Sequence, residues 1–196
     1  MENNTNVSSV FERYFNGLAK LGVAEQSVNL LKEKYGEKIK CASIATKKDS
    51  GCAYEGSLMN VALKAATNAC AINNLLSNEV KVDVKSLSKI CFLCMIGASD
   101  RLVCQTDKWR QEHLGEMFAY KDNNVAIPTT LHSVAICSEC GIGFTSEEIE
   151  AMTILDRPAD DKQSKYFASL LATIVKSAFE ITFAELKTIE KVKAKA

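Results

Sequence analysis

The stretch 55–76 carries apolar side chains at intervals of three and four residues, which is the spacing of one helix face. This face contains, in chain order, Leu58, Val61, Ala62, Ala65, Ala69, Ile72 and Leu76. The pattern predicts a long helix with one buried side, and its alanines let neighbouring helices approach closely. The stretch 90–96 is apolar almost all round, so it predicts the end of a central, buried helix over 84–96 that is capped by Asp83.

Other segments predict further helices and very little sheet. The start and stop signals place helices from Ser8 or Ser9 to Gly22, over 24–35 before Gly36, over 128–140, from the capping box at Thr145 and Glu148 to about 155, and over 163–192. A short two-stranded ribbon is predicted near 118–127, where residues 118–120 would pair with 125–127. The chain has only 2 Pro and 9 Gly, too few for a turn-rich β-sandwich, so the predicted fold class is all-α.

The length and the net charge of the chain limit the classes of protein to which it could belong. The chain has 196 residues, which suits a single domain (1–196) with N-terminal helices (1–37) packed on the rest. Because Lys plus Arg and Asp plus Glu both number 24, a nucleic-acid binder, which is usually basic, is disfavoured. No run approaches the roughly 20 apolar residues of a membrane span, and residues 1–9 lack the regions of a signal peptide. We therefore expect a cytoplasmic protein without a membrane partner and with reduced cysteines.

Two C-x-x-C pairs, Cys91 with Cys94 and Cys137 with Cys140, have the spacing that zinc sites often use. Each pair lies in an apolar, helical context, whereas structural zinc sites usually surround their cysteines with glycine or polar residues. The sequence therefore favours core cysteines that act as small hydrophobic side chains over a four-cysteine zinc site.

Few other residues offer metal or acid–base chemistry. The chain has only two histidines, His113 and His132, and it contains no H-x-x-x-H, Walker A, G-x-S-x-G or G-x-G-x-x-G motif. Asp156, Asp160 and Asp161 cluster in a polar stretch. Acidic pairs can bind Mg²⁺, but a solvated loop between helices is the favoured interpretation here.

Two motifs resemble those of the HD-domain metal-dependent phosphohydrolases. The run AYEGSL at 53–58 is similar to the A-Y-E-G-G-L opening of that family, and LCMIGA at 93–98 is similar to its L-H-D-I-G-K segment. The resemblance covers about residues 52–185, which would form the HD-like core. It implies an all-α fold and, for active members, a divalent metal held by two histidines and two carboxylates that hydrolyses phosphate esters.

The four positions that the resemblance aligns with metal ligands carry apolar or soft side chains in this chain. Val61 and Cys94 stand where the family has histidines, and Met95 and Phe179 stand where it has aspartates. Because a buried carboxylate without a metal partner costs several kcal/mol, a chain that abandoned the metal would be stabilised by apolar replacements. The resemblance therefore implies a degenerate pocket made of these four residues, with no catalytic residue, no metal and no cofactor.

The leading functional hypothesis is a catalytically inactive HD-like domain. It would sense a small ligand, such as a nucleotide, or act as a protein-interaction or regulatory module. The candidate ligand-binding residues combine positive charge with stacking surface, and they are Lys108, Trp109, Arg110, Tyr120 and His132. The plainer interpretation is that these residues pack and solvate a surface segment.

The alternative hypothesis is a phosphohydrolase acting on nucleotides through unconventional ligands. For this reaction Cys94, His132 and the aspartates of 156–161 would have to converge on one metal. The sequence leaves the ligand, the partner and the oligomeric state open.

Overall fold

The computed structural model describes residues 2–122, 126–158, 160–162 and 167–195, and within them the fold is mostly all-α. Eight α-helices lie in these ranges: α1 (Glu2–Ala19), α2 (Glu25–Cys41), α3 (Ser57–Asn74), α4 (Val84–Leu93), α5 (Lys108–Leu114), α6 (Thr129–Glu139), α7 (Ser146–Thr153) and α8 (Leu170–Lys193). Three short 3-10 turns accompany them, at Lys48–Ser50, Ile96–Ala98 and Ile154–Asp156. The all-α prediction is confirmed.

The predicted long helix is α3, and it lies at the centre of the molecule against α4 and α8. Its buried side includes Leu58, Val61 and Ala65, all from the apolar face expected from the sequence. At its end the Asn73 side chain donates to the Val82 carbonyl (2.9 Å) and accepts from the Val82 backbone N–H (3.0 Å). This reciprocal pair fixes the chain just before Asp83, which caps α4 by accepting from the Ser86 backbone N–H, as predicted.

The first helix is anchored to the core through Tyr14. Its side chain is fully buried, its hydroxyl donates to the Phe92 carbonyl at 2.6 Å, and its ring stacks on the Phe92 ring with centroids 5.1 Å apart. One turn along α1, a Cβ on Gly17 would lie 2.8 Å from the Phe92 ring. Glycine at this position therefore allows α1 to approach α4 closely.

The boundaries of both N-terminal helices differ from the prediction. The first helix begins at Glu2 rather than at Ser8 or Ser9, and α2 continues to Cys41 instead of ending before Gly36. Gly36 is buried inside α2, where a Cβ would lie 3.4 Å from the Phe11 ring. This glycine serves close packing between two helices and not helix termination.

Two later helices are shorter than the sequence suggested. The central helix α4 ends at Leu93 rather than 96, because the chain turns into the 3-10 segment at Ile96–Ala98. The last helix begins at Leu170 rather than 163, because the Ser169 hydroxyl caps it by accepting from the Ala172 backbone N–H. Residues 163–166 of the predicted helix lie outside the described residues. The capping box at Thr145 and Glu148 is confirmed.

A two-stranded antiparallel ribbon joins β1 (Leu102–Cys104) and β2 (Phe118–Tyr120). The predicted strand at 118–120 is confirmed, but its predicted partner at 125–127 is wrong: residues 126 and 127 lie outside the ribbon, and Val125 is not among the described residues. The true partner comes from the chain after α4. A local hairpin was favoured from the sequence because a pairing across α5 leaves no short-range signal.

Among the helices whose residues the structure describes, none has the length and apolarity to cross a membrane.

Candidate functional site

The positions aligned with metal ligands lie in tightly packed apolar surroundings. Val61, Cys94 and Phe179 are fully buried in one hydrophobic core, and Met95 is half-buried against it. Burial raises the pKa of the Cys94 thiol well above its usual value, so this thiol stays neutral. These surroundings suit apolar side chains. That the four positions derive from a former metal site stays a prediction.

The turn after α4 is joined to α6 by hydrogen bonds and a close backbone contact at Gly97. We call this set of contacts the clasp. The Gly97 backbone N–H donates to the Ser133 hydroxyl (2.8 Å), which itself donates to the Cys94 carbonyl (2.7 Å). A Cβ on Gly97 would lie 2.2 Å from the Thr129 carbonyl oxygen, a separation that no side chain allows. Only glycine lets the turn come this close to α6, and the contact fixes the residues on both sides of it.

The same clasp brings His132 of α6 next to Asp100. The His132 Nδ1 atom lies 3.1 Å from the Gly97 carbonyl oxygen and 3.7 Å from an Asp100 carboxylate oxygen. The Lys38 ammonium lies 3.8 Å from the other carboxylate oxygen. His132 and Asp100 thus form a pair whose positions are set by the close approach of two elements.

A groove of about 600 Å³ lies over one face of the ribbon and is bordered by this pair. Successive side chains of a strand alternate between faces, so Arg101 and Val103 share a face with their cross-strand neighbours Lys121 and Ala119. All four of these residues line the groove. Two cationic side chains therefore share this face of the ribbon. The Arg101 guanidinium also donates to the Ile127 carbonyl, and Asp122 lines the groove next to Lys121.

The structure brings together two of the five residues that the sequence singled out for ligand binding. Tyr120 and His132 line the ribbon groove. Lys108, Trp109 and Arg110 are exposed on α5 and do not line it. Their role in ligand binding stays a prediction.

Contacts within the α5 region account for two of these three side chains. The Trp109 ring stacks on His113 with centroids 5.0 Å apart, and Arg110 lies 3.2 Å from the Glu116 carboxylate. This arrangement matches the plainer interpretation of a packed and solvated surface segment.

Sequence reasoning missed four charged residues of the groove: Asp100, Arg101, Lys121 and Asp122. The sequence did contain one signal that could have found Arg101. If this stretch is a strand, positions 101, 103 and 105 lie on the same face. That signal becomes visible only when the stretch is recognised as the partner of 118–120.

The aspartate cluster considered for Mg²⁺ is divided among other roles. Asp156 accepts from both the backbone N–H (2.7 Å) and the hydroxyl (2.5 Å) of Thr130, and it thereby satisfies the first turn of α6. Asp160 is exposed in the loop and Asp161 is half-buried there. In the ranges that the structure describes, no group of three His, Cys, Asp or Glu side chains is arranged to hold a metal ion.

The C-x-x-C cysteines behave as core residues. Cys91, Cys94, Cys137 and Cys140 are all buried, and burial raises the pKa of each thiol. A neutral thiol is a poor metal ligand and a poor nucleophile. This arrangement agrees with the interpretation of these cysteines as small apolar side chains.

We expect only two of the eight thiols to react quickly with Ellman's reagent in the folded protein. Cys41 and Cys104 are exposed, whereas Cys70 is half-buried and the other cysteines are buried. Burial and the nearby Glu55 carboxylate raise the pKa of Cys104, so Glu55→Gln should speed the reaction of this thiol. All eight should react in guanidinium chloride. Four thiols that stay protected there until a chelator is added would instead reveal a zinc site.

Comparison of the chain with protein-family models, with curated proteins and with solved structures found no match.

Proposed function

We propose that this protein is a cytoplasmic, catalytically inactive HD-like domain that binds a small anionic ligand, such as a nucleotide, in the ribbon groove. The observation that carries the proposal is the composition of that groove, whose lining includes Arg101, Lys121, Tyr120 and His132. The positions aligned with catalytic metal ligands are instead apolar and buried, or half-buried at Met95. Binding without turnover fits both observations.

The size of the groove suits a small organic ligand, and its lining carries two cations and two carboxylates, one of which is Asp122. Small-molecule sites commonly measure about 300–1,000 Å³, and this groove has about 600 Å³. The Asp100 carboxylate is engaged by Lys38 and lies beside His132, which reduces its repulsion of an anion. Arginine and lysine are the usual partners of phosphate, and an exposed aromatic ring can stack on a nucleobase. Tyr120 lines the groove and is 69% exposed, although its pairing with Leu102 places its side chain on the ribbon face opposite that of Lys121.

We expect Lys121→Ala to weaken nucleotide binding about tenfold, the effect of losing one charge-assisted contact of ordinary strength. Isothermal titration calorimetry with the four ribonucleoside 5′-monophosphates and with inorganic phosphate measures this. Lys20→Ala is the matched control, because it removes the same charge from an exposed position at the end of α1, away from the groove lining. The proposal is wrong if no probe binds the wild type at millimolar concentration, or if both variants bind equally well.

The hydrolase alternative is tested on the same samples. Release of inorganic phosphate from a monophosphate in the presence of Mn²⁺, abolished by a chelator, would show turnover and overturn the inactive assignment. We expect binding without release.

A further inference from the structure

We propose that His132 determines ligand specificity in the ribbon groove, by accepting a hydrogen bond from an N–H or O–H group of the ligand at its Nε2 atom. The proposal rests on the proposed function and deepens it. The ligand class it defines is a small phosphorylated compound that also carries a hydrogen-bond donor, as the nucleoside part of a nucleotide does.

The tautomer of the neutral ring follows from the partners of Nδ1. A carbonyl oxygen can only accept a hydrogen bond, so the contact with the Gly97 carbonyl at 3.1 Å requires the proton to lie on Nδ1. The Asp100 carboxylate, 3.7 Å from the same nitrogen, also favours a proton there. In a neutral imidazole only one nitrogen carries hydrogen. The Nε2 atom therefore carries a lone pair and acts as an acceptor.

The ring is held in place by the clasp between the turn after α4 and α6. Gly97 is fixed by its hydrogen bond to Ser133, the residue that follows His132 on α6. The His132 side chain is only 19% exposed and lines the groove. A hydrogen bond made there is shielded from water, and little ordering of the side chain is lost when the ligand binds.

Charge and hydrogen bonding are thereby divided between two parts of the groove. Lys121 and Arg101 attract any small anion, but they do not distinguish one phosphorylated compound from another. His132 responds only to a ligand that presents a donor, because its Nε2 lone pair repels an acceptor. Inorganic phosphate at neutral pH offers mainly acceptor oxygens, whereas a nucleoside monophosphate offers ribose hydroxyl and base N–H groups as well.

The tautomer can be measured before any ligand is added. Long-range ¹H–¹⁵N correlation spectra at pH 8.5, where an ordinary imidazole is neutral, distinguish Nδ1–H from Nε2–H. The chain has only two histidines, so His113→Gln assigns the signals. We expect the Nδ1–H form for His132. A predominant Nε2–H form would overturn the inference and would leave the proposed binding function untouched.

Two substitutions then test the acceptor. In His132→Asn the amide nitrogen occupies nearly the position of Nδ1 and keeps a donor for the Gly97 carbonyl, but nothing replaces Nε2. We expect this variant to lose about tenfold in affinity for the monophosphate that binds best, and to keep its affinity for inorganic phosphate. His132→Gln carries its amide near the position of Nε2 and should recover part of the loss. His113→Gln should bind as the wild type does.

The outcomes separate the two proposals. If a monophosphate binds the wild type and His132→Asn equally well, His132 does not contribute to ligand specificity. The proposed binding function then stands without this inference. If His132→Asn loses phosphate and monophosphate affinity to the same extent, the histidine acts only on the shape or charge of the groove, and the acceptor role is wrong. If no probe binds the wild type, the binding function and this inference both fail.

Discussion

Replacing Phe179 by alanine is expected to lower the free energy of unfolding by about 3–5 kcal/mol, the usual cost of removing a large buried aromatic side chain. Phe179 is fully buried on α8 and its ring lies 5.9 Å from that of Phe183, measured between centroids. Truncation removes the ring from a packed core that closes only partially around the cavity. Urea denaturation followed by circular dichroism measures the loss.

Phe167→Ala is the matched control for this substitution, because Phe167 is 81% exposed. It should change the free energy of unfolding by less than about 0.5 kcal/mol. Equal effects of the two substitutions would contradict the position of Phe179 in the core, and with it the alignment of this residue with the late helix of the HD-domain family.

Replacing Gly97 by alanine is expected to destabilise the protein by about 3 kcal/mol, at the upper end of the cost of overpacking. The added methyl group would lie 2.2 Å from the Thr129 carbonyl oxygen and 2.7 Å from the Ser133 backbone nitrogen, so it meets backbone atoms on both sides. The two elements must separate, and the hydrogen bonds of the clasp lengthen or break. Chemical denaturation measures the stability, and calorimetry measures the accompanying loss of ligand binding.

The control for Gly97→Ala is Gly143→Ala. A Cβ on Gly143 meets no atom within 4 Å, and the residue does not have a positive φ. This substitution should be neutral within about 0.5 kcal/mol. If Gly97→Ala were equally neutral, the close approach of α6 to the turn after α4 would be wrong.

Sequence periodicity was sufficient where a helix has one long apolar face and clear caps. The α3 stripe, the Asp83 cap and the Thr145–Glu148 capping box all depend on residues within a few positions of one another. It failed at Gly36, because whether a glycine ends a helix or admits a neighbour depends on Phe11, a residue from another helix. Helix boundaries of this kind are decided by tertiary packing, which local patterns do not contain.

The candidate site was only partly accessible from the sequence for the same reason. His132 and Tyr120 are conspicuous as residue types, since histidine and exposed aromatic residues often bind ligands. Arg101 and Lys121 are ordinary surface cations until the pairing of β1 with β2 makes them neighbours. The resemblance to HD-domain phosphohydrolases pointed to the turn at 93–98, and the structure adds that Gly97 in this turn joins α6 to the groove. Membership of that family remains a prediction.

The buried Tyr14 phenol makes the stability of the fold depend on pH in the alkaline range. Burial raises its pKa well above the ordinary value, because a phenolate among core side chains would lack solvation. The unfolded chain releases this proton near pH 10, whereas the folded protein retains it and keeps the bond to the Phe92 carbonyl. The contribution of Tyr14 to stability is therefore complete below about pH 10 and declines as the pH rises further. Ionisation of this phenol and detachment of the first helix from the core thus form one coupled event.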